Sequence, residues 1–185
     1  MPLPRLEGRK ITLRQLRRSD AEDIRKNANS REVGRYIVHL PYPYSLRHAR
    51  SWIERSLRLA RSKKEFHFGI TEMKSGRVVG MVGLRMVDFK NGNAEVGFWI
   101  GKNHWNKGYT TEAVKLITHF AFNKLKLERI YAVVLDKNIA SARVLEKNGF
   151  KREGTWRKAH VIGRNRHDVY GFGIMKNEFK ALRCL

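Results

Sequence analysis

The stretch HWNKGYTTEAVKLITHFAF (residues 104–122) follows a strand-like run, AEVGFWI (residues 94–100), and opens a long amphipathic pattern. Lys107, Gly108, Tyr109, Thr110 and Thr111 stand at the junction. A glycine lets the backbone turn tightly and approach a ligand with no Cβ in the way. The first amides of the following helix lack intrahelical acceptors and lie at the positive end of its dipole. Strand, glycine turn and helix N-terminus, in that order, make a site for a phosphate or pyrophosphate. A glycine that merely opens a helix is the plain alternative.

Downstream, the spacing predicts a helix over residues 110–125, with Val114, Ile117, Ala121 and Leu125 on one stripe. RIYAVVL (129–135) is nearly continuously apolar, as in a strand buried on both faces. A short helix over 140–147 is stopped by Asn148-Gly149. Strands over 154–162 and 168–175 form a hairpin turning at Gly163-Arg164-Asn165. Upstream, residues 9–16 read as a strand. Ser19-Asp20-Ala21-Glu22 is a capping-box pattern that starts a helix running to Ala28. Pro41 and Pro43 mark a loop, and Leu46, Ala49, Ile53, Leu57 and Ala60 share a helix face. Arg47, Arg50, Arg58 and Arg61 fall mostly on its other sides, foremost as a solvated face, with attraction of an acidic partner as the alternative. Strands over 65–71, 77–88 and 94–100 are separated by turns at Lys74-Ser75-Gly76 and Asn91-Gly92-Asn93. The order β-α-α-β-β-β-α-β-α-β-β describes one α/β domain, residues 1–185, around a mixed sheet.

Composition agrees with a folded globule: 185 residues, 42% hydrophobic. The 39 Lys+Arg against 17 Asp+Glu give a net charge of +22, which attracts acidic partners, nucleic acid or ribosomes, or is simply a solvated basic surface. One cysteine, Cys184, excludes an intramolecular disulfide framework. No apolar run reaches the roughly 20 residues of a membrane span. The opening MPLPRLEGRKITL lacks a signal-peptide apolar core. A soluble, cytoplasmic protein is expected, with no membrane partner.

Several chemistries lack their signatures. The seven histidines show no paired ligand spacing, so no metal is expected. GxxxxGK[ST], GxGxxG and a nucleophile elbow are all missing. RNP, KH and zinc-finger patterns are missing too.

ITLRQLRRSD (11–20), NKGYTTEA (106–113), NIASARVLEKNGF (138–150) and EGTWR (153–157), in this order and spacing, resemble the GNAT superfamily of N-acetyltransferases. The likeness is strongest to its RimJ/RimL-like protein acetyltransferases and covers nearly the whole chain. It implies the GNAT fold, a central mixed and mostly antiparallel sheet with helices on both faces. It implies acetyl-CoA as cofactor and CoA as product. The phosphate-binding motif falls on residues 105–110, with Gly108 kept and Thr110 where Gly or Ala is usual. Thr110 narrows the approach, or its hydroxyl caps the helix. The resemblance assigns the backbone of Asn106, Lys107, Gly108, Tyr109, Thr110 and Thr111 to the pyrophosphate. It assigns the end of the Phe98, Trp99, Ile100 strand to the pantetheine arm, paired like an added strand.

Acetyl transfer needs a base for the amine proton, donors for the oxyanion and an acid for the thiolate. Glu95, among apolar residues on the strand leading to the turn, is the candidate base, acting through a water; an outward salt-bridge partner is the alternative. A backbone N–H at or near Ile100 would polarise the thioester carbonyl. Many relatives place a tyrosine acid where this chain has Leu145. The RimL-like pattern offers Ser141 instead, with Asn138 bonding the pantetheine, unless the two only cap the short helix. Glu153 and Arg157 would lie beside the acceptor groove, or Arg157 pairs with Glu153 or Asp168. Tyr36, Tyr42, Tyr44 and Trp52 line its N-terminal side or simply pack.

The reading is direct transfer to a primary amine, foremost a protein or peptide N-terminus, with a ribosomal protein as the subfamily's example. A small-molecule amine is the rival acceptor. Non-catalytic RNA or ribosome binding, and an acetyl-CoA sensor without turnover, are the rival functions. The sequence leaves monomer and homodimer equally open.

Overall fold

The computed structural model describes residues 3–37, 40–162 and 165–179. Cys184, His39 and the tip of the last hairpin at Gly163-Arg164 lie outside the described residues. The strands are β1 (Leu6–Glu7), β2 (Ile11–Gln15), β3 (Phe66–Glu72), β4 (Val78–Asp88), β5 (Asn93–Ile100), β6 (Arg129–Leu135), β7 (Lys151–Ile162) and β8 (Asn165–Met175). The helices are α1 (Ala21–Ala28), α2 (Arg31–Gly34), α3 (Leu46–Arg61), α4 (Tyr109–Asn123) and α5 (Ile139–Lys147). One sheet runs β1-β2-β3-β4-β5-β6-β8-β7.

Neighbouring strands pair antiparallel, except β5 with β6. The turns at Gly76 (φ 67) and Gly92 (φ 66) use the left-handed region where glycine carries no Cβ penalty. They let β3, β4 and β5 follow one another directly. A parallel neighbour cannot be reached by a tight turn, so the chain crosses over through α4 to reach β6.

Helices cover both faces. Ala113, Val114, Ile117 and Ala121 of α4 pack with Ala94, Val96, Ile130 and Leu145 in the main core. Phe120 meets Phe66 and Phe68 edge-on, at 5.9 and 5.4 Å between centroids. On the other face Ile24 of α1 and Ala49 and Ile53 of α3 pack with Leu16, Val78 and Met81. No helix among the described residues is long and apolar enough to cross a membrane.

Some expectations shift. The Ser19–Glu22 box does not cap α1: the chain makes a 3-10 turn at Arg18–Asp20, and Asp20 turns back to accept from Arg17 N (2.7 Å) and pair with Arg14. α4 ends at Asn123, so Leu125 lies past the helix but still packs on the core. β7 and β8 each begin three residues earlier than expected. β1 and α2 have two and four residues, too short for periodicity to register. β6 is buried on one face only: Ile130, Ala132 and Val134 are in the core, while Val133 is 42% exposed. The core under α1 and α3 on that face does not reach β6.

Candidate active site

β5 and β6 pair only at Asn93↔Arg129, Ala94↔Ile130 and Glu95↔Tyr131. Beyond Glu95 the strands separate. Residues 96–100 keep their pairing with β4, and 132–135 keep theirs with β8. A wedge therefore opens in mid-sheet, with an unpaired strand edge on each wall. It opens toward the C-terminal ends of two parallel strands, where α/β sheets bind ligands.

At the mouth of the wedge, on the β5 side, lies the turn that opened the sequence reading. Trp105 Nε1 donates to Ile100 O at 3.0 Å, folding the turn back on the strand end. Asn106 (φ 60) and Gly108 (φ 80, ψ 0) take left-handed conformations. Turns of this kind gather N–H groups into an anion-binding concavity. The N–H groups of Asn106, Lys107, Gly108, Tyr109, Thr110 and Thr111 have no acceptor among the described residues; the first helical bond here is Glu112 N to Gly108 O. Gly108 is the N-cap and supplies no side-chain cap. Thr110 is inside the helix and does not cap it, which corrects that expectation. Lys10 Nζ donates to Lys107 O at 3.2 Å, bringing a cation to the loop. Glu112 anchors the turn from below by accepting from the backbone of Arg9 and Lys10. The phenol of Tyr109 is engaged elsewhere, donating to Glu72 at 2.7 Å and holding that carboxyl below its usual range. Only its backbone faces the loop's task.

Facing it across the mouth is the start of α5. Asn138 Oδ1 accepts from Ser141 N at 3.2 Å, so the capping alternative is realised. Capping uses the amide oxygen alone. Asn138 Nδ2 and the Ser141 hydroxyl have no partner among the described residues, so capping and ligand contact are compatible. Leu145 is fully buried in the main core. Asn148 donates to Thr111 O (3.1 Å) and Val144 O (2.8 Å), tying α5 to the first turn of α4. Asn148→Ala removes both bonds and is expected to cost about 1–3 kcal/mol, read as the loss of unfolding free energy in urea titrations.

At the root of the wedge Glu95 is buried, and Arg85 Nη2 donates to it at 2.6 Å. Alternation along β5 puts Ala94, Val96 and Ile100 in the main core and Glu95, Gly97 and Trp99 on the α3 face. Tyr131 stands beside Glu95, its phenol pushed up by burial and by the Glu95 charge. The adjacent row is His67↔Gly83↔Gly97. Gly97 leaves the sheet bare, while the His67 ring takes the space where a Cβ on Gly83 would stand. Trp52 of α3 packs edge-on to His67 (5.0 Å), and Glu65 bonds its Nε2 at 2.6 Å. The result is a trough over Gly97, walled by His67, Arg85, Glu95 and Tyr131, at the root of the wedge. Sequence reasoning missed His67, Arg85, Tyr131 and both glycines, because only strand register aligns them. The alternation that placed Glu95 would have found Gly97.

The remaining expected acceptor residues scatter. Tyr36 donates to Lys137 O at 3.4 Å, joining α2 to the loop before α5. Tyr42 is 56% exposed under the Arg31 guanidinium and lines a different cavity of about 800 Å³, with Lys26, Asn29, Lys102 and His104. That cavity is lined by the start of β4, Val78 and Val79, and by the turn after β5, Lys102 to His104. Tyr44 is buried in the second core, its phenol pushed up to about 12 by burial, so it packs rather than lines the groove. Glu153 pairs with Arg129, which holds its carboxyl low, and does not meet Arg157. Glu153 and Arg157 stand four residues apart on one extended strand, roughly 13 Å, too far to pair, and across the register shift between Trp156 and His160 Asp168 accepts from Lys158 N at 2.8 Å.

The free edge of β5 and the open N–H loop fall on the residues that the sequence resemblance assigned to the cofactor. The family model described as "Acetyltransferase (GNAT) domain" matches residues 10–151. The chain belongs to the GNAT acetyltransferase family. It is 32% identical over 170 residues to the uncharacterized N-acetyltransferase p20 of Bacillus licheniformis, covering 92% of this chain and 95% of that one. Its fold is similar to that of the ribosomal-protein-S5-alanine acetyltransferase from Vibrio fischeri (TM-score 0.85, 20% identity, 96% and 100% of the chains covered). It is also similar to the microcin C7 self-immunity acetyltransferase MccE, solved with acetyl-CoA and AMP (TM-score 0.81, 20% identity, 91% and 93% covered). This GNAT acetyltransferase shows no cluster of three or more metal-ligating side chains among its described residues.

Proposed function

We propose that this acetyltransferase transfers acetyl from acetyl-CoA directly to the N-terminal α-amine of a protein, with ribosomal proteins as the leading class. The observation that carries the acetyl-CoA reading is the parting of β5 and β6 at Glu95↔Tyr131, below six N–H groups with no acceptor among the described residues, and the likeness to ribosomal-protein acetyltransferases supports the acceptor. The N–H groups of Asn106 through Thr111 hold the pyrophosphate. The free edge of β5 over residues 96–100, with Phe98, Trp99 and Ile100, aligns the pantetheine by strand-like hydrogen bonds. Asn138 Nδ2 bonds the same arm from the opposite wall.

Acetyl-CoA supplies the activated acetyl group. Glu95 accepts the amine proton through a water in the trough, and a backbone N–H at or beside Ile100 steadies the carbonyl oxygen. The Ser141 hydroxyl donates a hydrogen bond to the departing sulfur. Tyr36, bridging to Lys137, closes the acceptor side near Asn138. A net charge of +22 favours acceptors that are acidic or embedded in polyanions and repels polyamines.

The test is a panel of peptides and small amines assayed for CoA release with acetyl-CoA present. Turnover on peptides with a free N-terminus, lost when that amine is blocked, is expected. Turnover confined to small-molecule amines would transfer the reading to that class.

A further inference from the structure

The outer face of α3 carries a charge pattern that neither the helix nor the acetyl-transfer site uses. α3 holds five arginines, no lysine and a single acid, Glu54. At about 100° per residue, Arg47, Arg50, Glu54, Arg58 and Arg61 fall within an arc of roughly 80°, a stripe about 21 Å long. The four arginines are exposed and have no ion-pair partner among the described residues; Glu54 reaches Arg18 at 3.6 Å. Arg18 and Arg50 share a small cleft with Glu54, and Arg17, Lys63 and Lys64, all exposed, extend the field at its two ends.

A solvated helix face gains from opposite charges three or four residues apart. Here Arg47 with Arg50, and Arg58 with Arg61, are like-charged neighbours that oppose the helix. Arg47 lies in the first turn, where there is no acid and where a cation opposes the dipole. Glu54, four residues from both Arg50 and Arg58, and the last-turn position of Arg58 and Arg61 offset part of this, but four arginines against one acid leave a strongly cationic stripe that a linear polyanion neutralises. Arginine's planar, weakly hydrated fork suits phosphate. No large apolar side chain of α3 is exposed, although a membrane-lying helix needs an apolar face to insert and protein interfaces concentrate aromatic and apolar groups at their centre.

We infer that the outer face of α3 docks on the phosphate backbone of a nucleic acid. The inner face of the same helix carries Trp52 against His67, on the acceptor-side trough. The N–H loop opens α4, which packs on the opposite face of the sheet. A docked strand therefore lies on the acceptor side and leaves the loop free. This holds whichever amine is acetylated.

The test is fluorescence anisotropy with a labelled 20-base-pair RNA duplex and the matching DNA duplex, between 50 and 200 mM salt. Binding that weakens steeply with salt is expected. The R47Q/R50Q/R58Q/R61Q variant should bind roughly tenfold or more weakly and lower the salt slope by about 3–4. K90Q/K124Q/K126Q/K147Q, with the same charge loss elsewhere, should bind like the parent. Circular dichroism and acetyl-CoA affinity check that each variant is folded, and the R47Q/R50Q and R58Q/R61Q halves separate local unfolding from lost contacts. Preference between the two duplexes identifies the source of the backbone. No duplex binding at 50 mM salt, equal losses in both quadruple variants, or stripe-dependent binding to phosphatidylserine vesicles without duplex binding would each overturn the inference.

Discussion

Glu95→Gln is expected to lower kcat roughly 10²–10⁴-fold at neutral pH while leaving acetyl-CoA affinity unchanged. Glutamine keeps the size and a hydrogen-bonding oxygen but cannot take a proton. The residue it abandons, Arg85, is about half exposed, so water replaces the lost pair and the fold is little affected. An α-amine loses its own proton near pH 8. The variant should therefore recover much of its activity by about pH 9, where no base is needed. The pH profile of kcat on an N-terminal peptide, measured for both proteins, checks this. A variant as fast as the parent at pH 7 would remove Glu95 from the mechanism.

Gly108→Val is expected to weaken acetyl-CoA binding by roughly tenfold to a hundredfold, measured by calorimetry. At φ 80 a β-branched residue is strained by about 1–3 kcal/mol. The nearest relief is rotation of the loop, which disperses the N–H groups that converge there. Space is not the obstacle, since a Cβ would meet only Lys10 Nζ at 3.9 Å. Gly108→Ala should consequently suffer as well, though less. Because the glycine is exposed and lies outside both cores, packing is untouched, and thermal unfolding should fall by no more than the strain itself, roughly 2–12 °C. Equal dissociation constants for parent and Gly108→Val would mean that the loop does not hold the pyrophosphate.

These two residues differ in how they came to light. Gly108 was legible because its requirement is local: a left-handed turn between a strand and a helix depends on the glycine itself and its immediate neighbours. The same holds for the turns at Gly76 and Gly92, for the apolar faces of α3 and α4, and for Asn138 as a short-helix cap. Glu95 was legible as a strand residue before the turn, but its partner Arg85 was not, because that contact comes from β4 register. The trough of Gly83, Gly97 and His67 belongs to three strands at once.

Sequence by itself determined the order of the elements longer than four residues, the glycine turn before α4 and the family motifs, because each depends on hydrogen bonds and sterics within a few residues. Tertiary structure alone decided the rest. It parted β5 from β6 after three residue pairs, since a parallel strand reached through a crossover helix is held only where its side chains and ladder both fit. It put Tyr44 in a core and Tyr42 in a separate cavity, although both come from one proline-marked loop. It gave Glu153 to Arg129 rather than Arg157, because only the strand order β6-β8-β7 brings Arg129 within reach, while an extended strand holds Arg157 roughly 13 Å away.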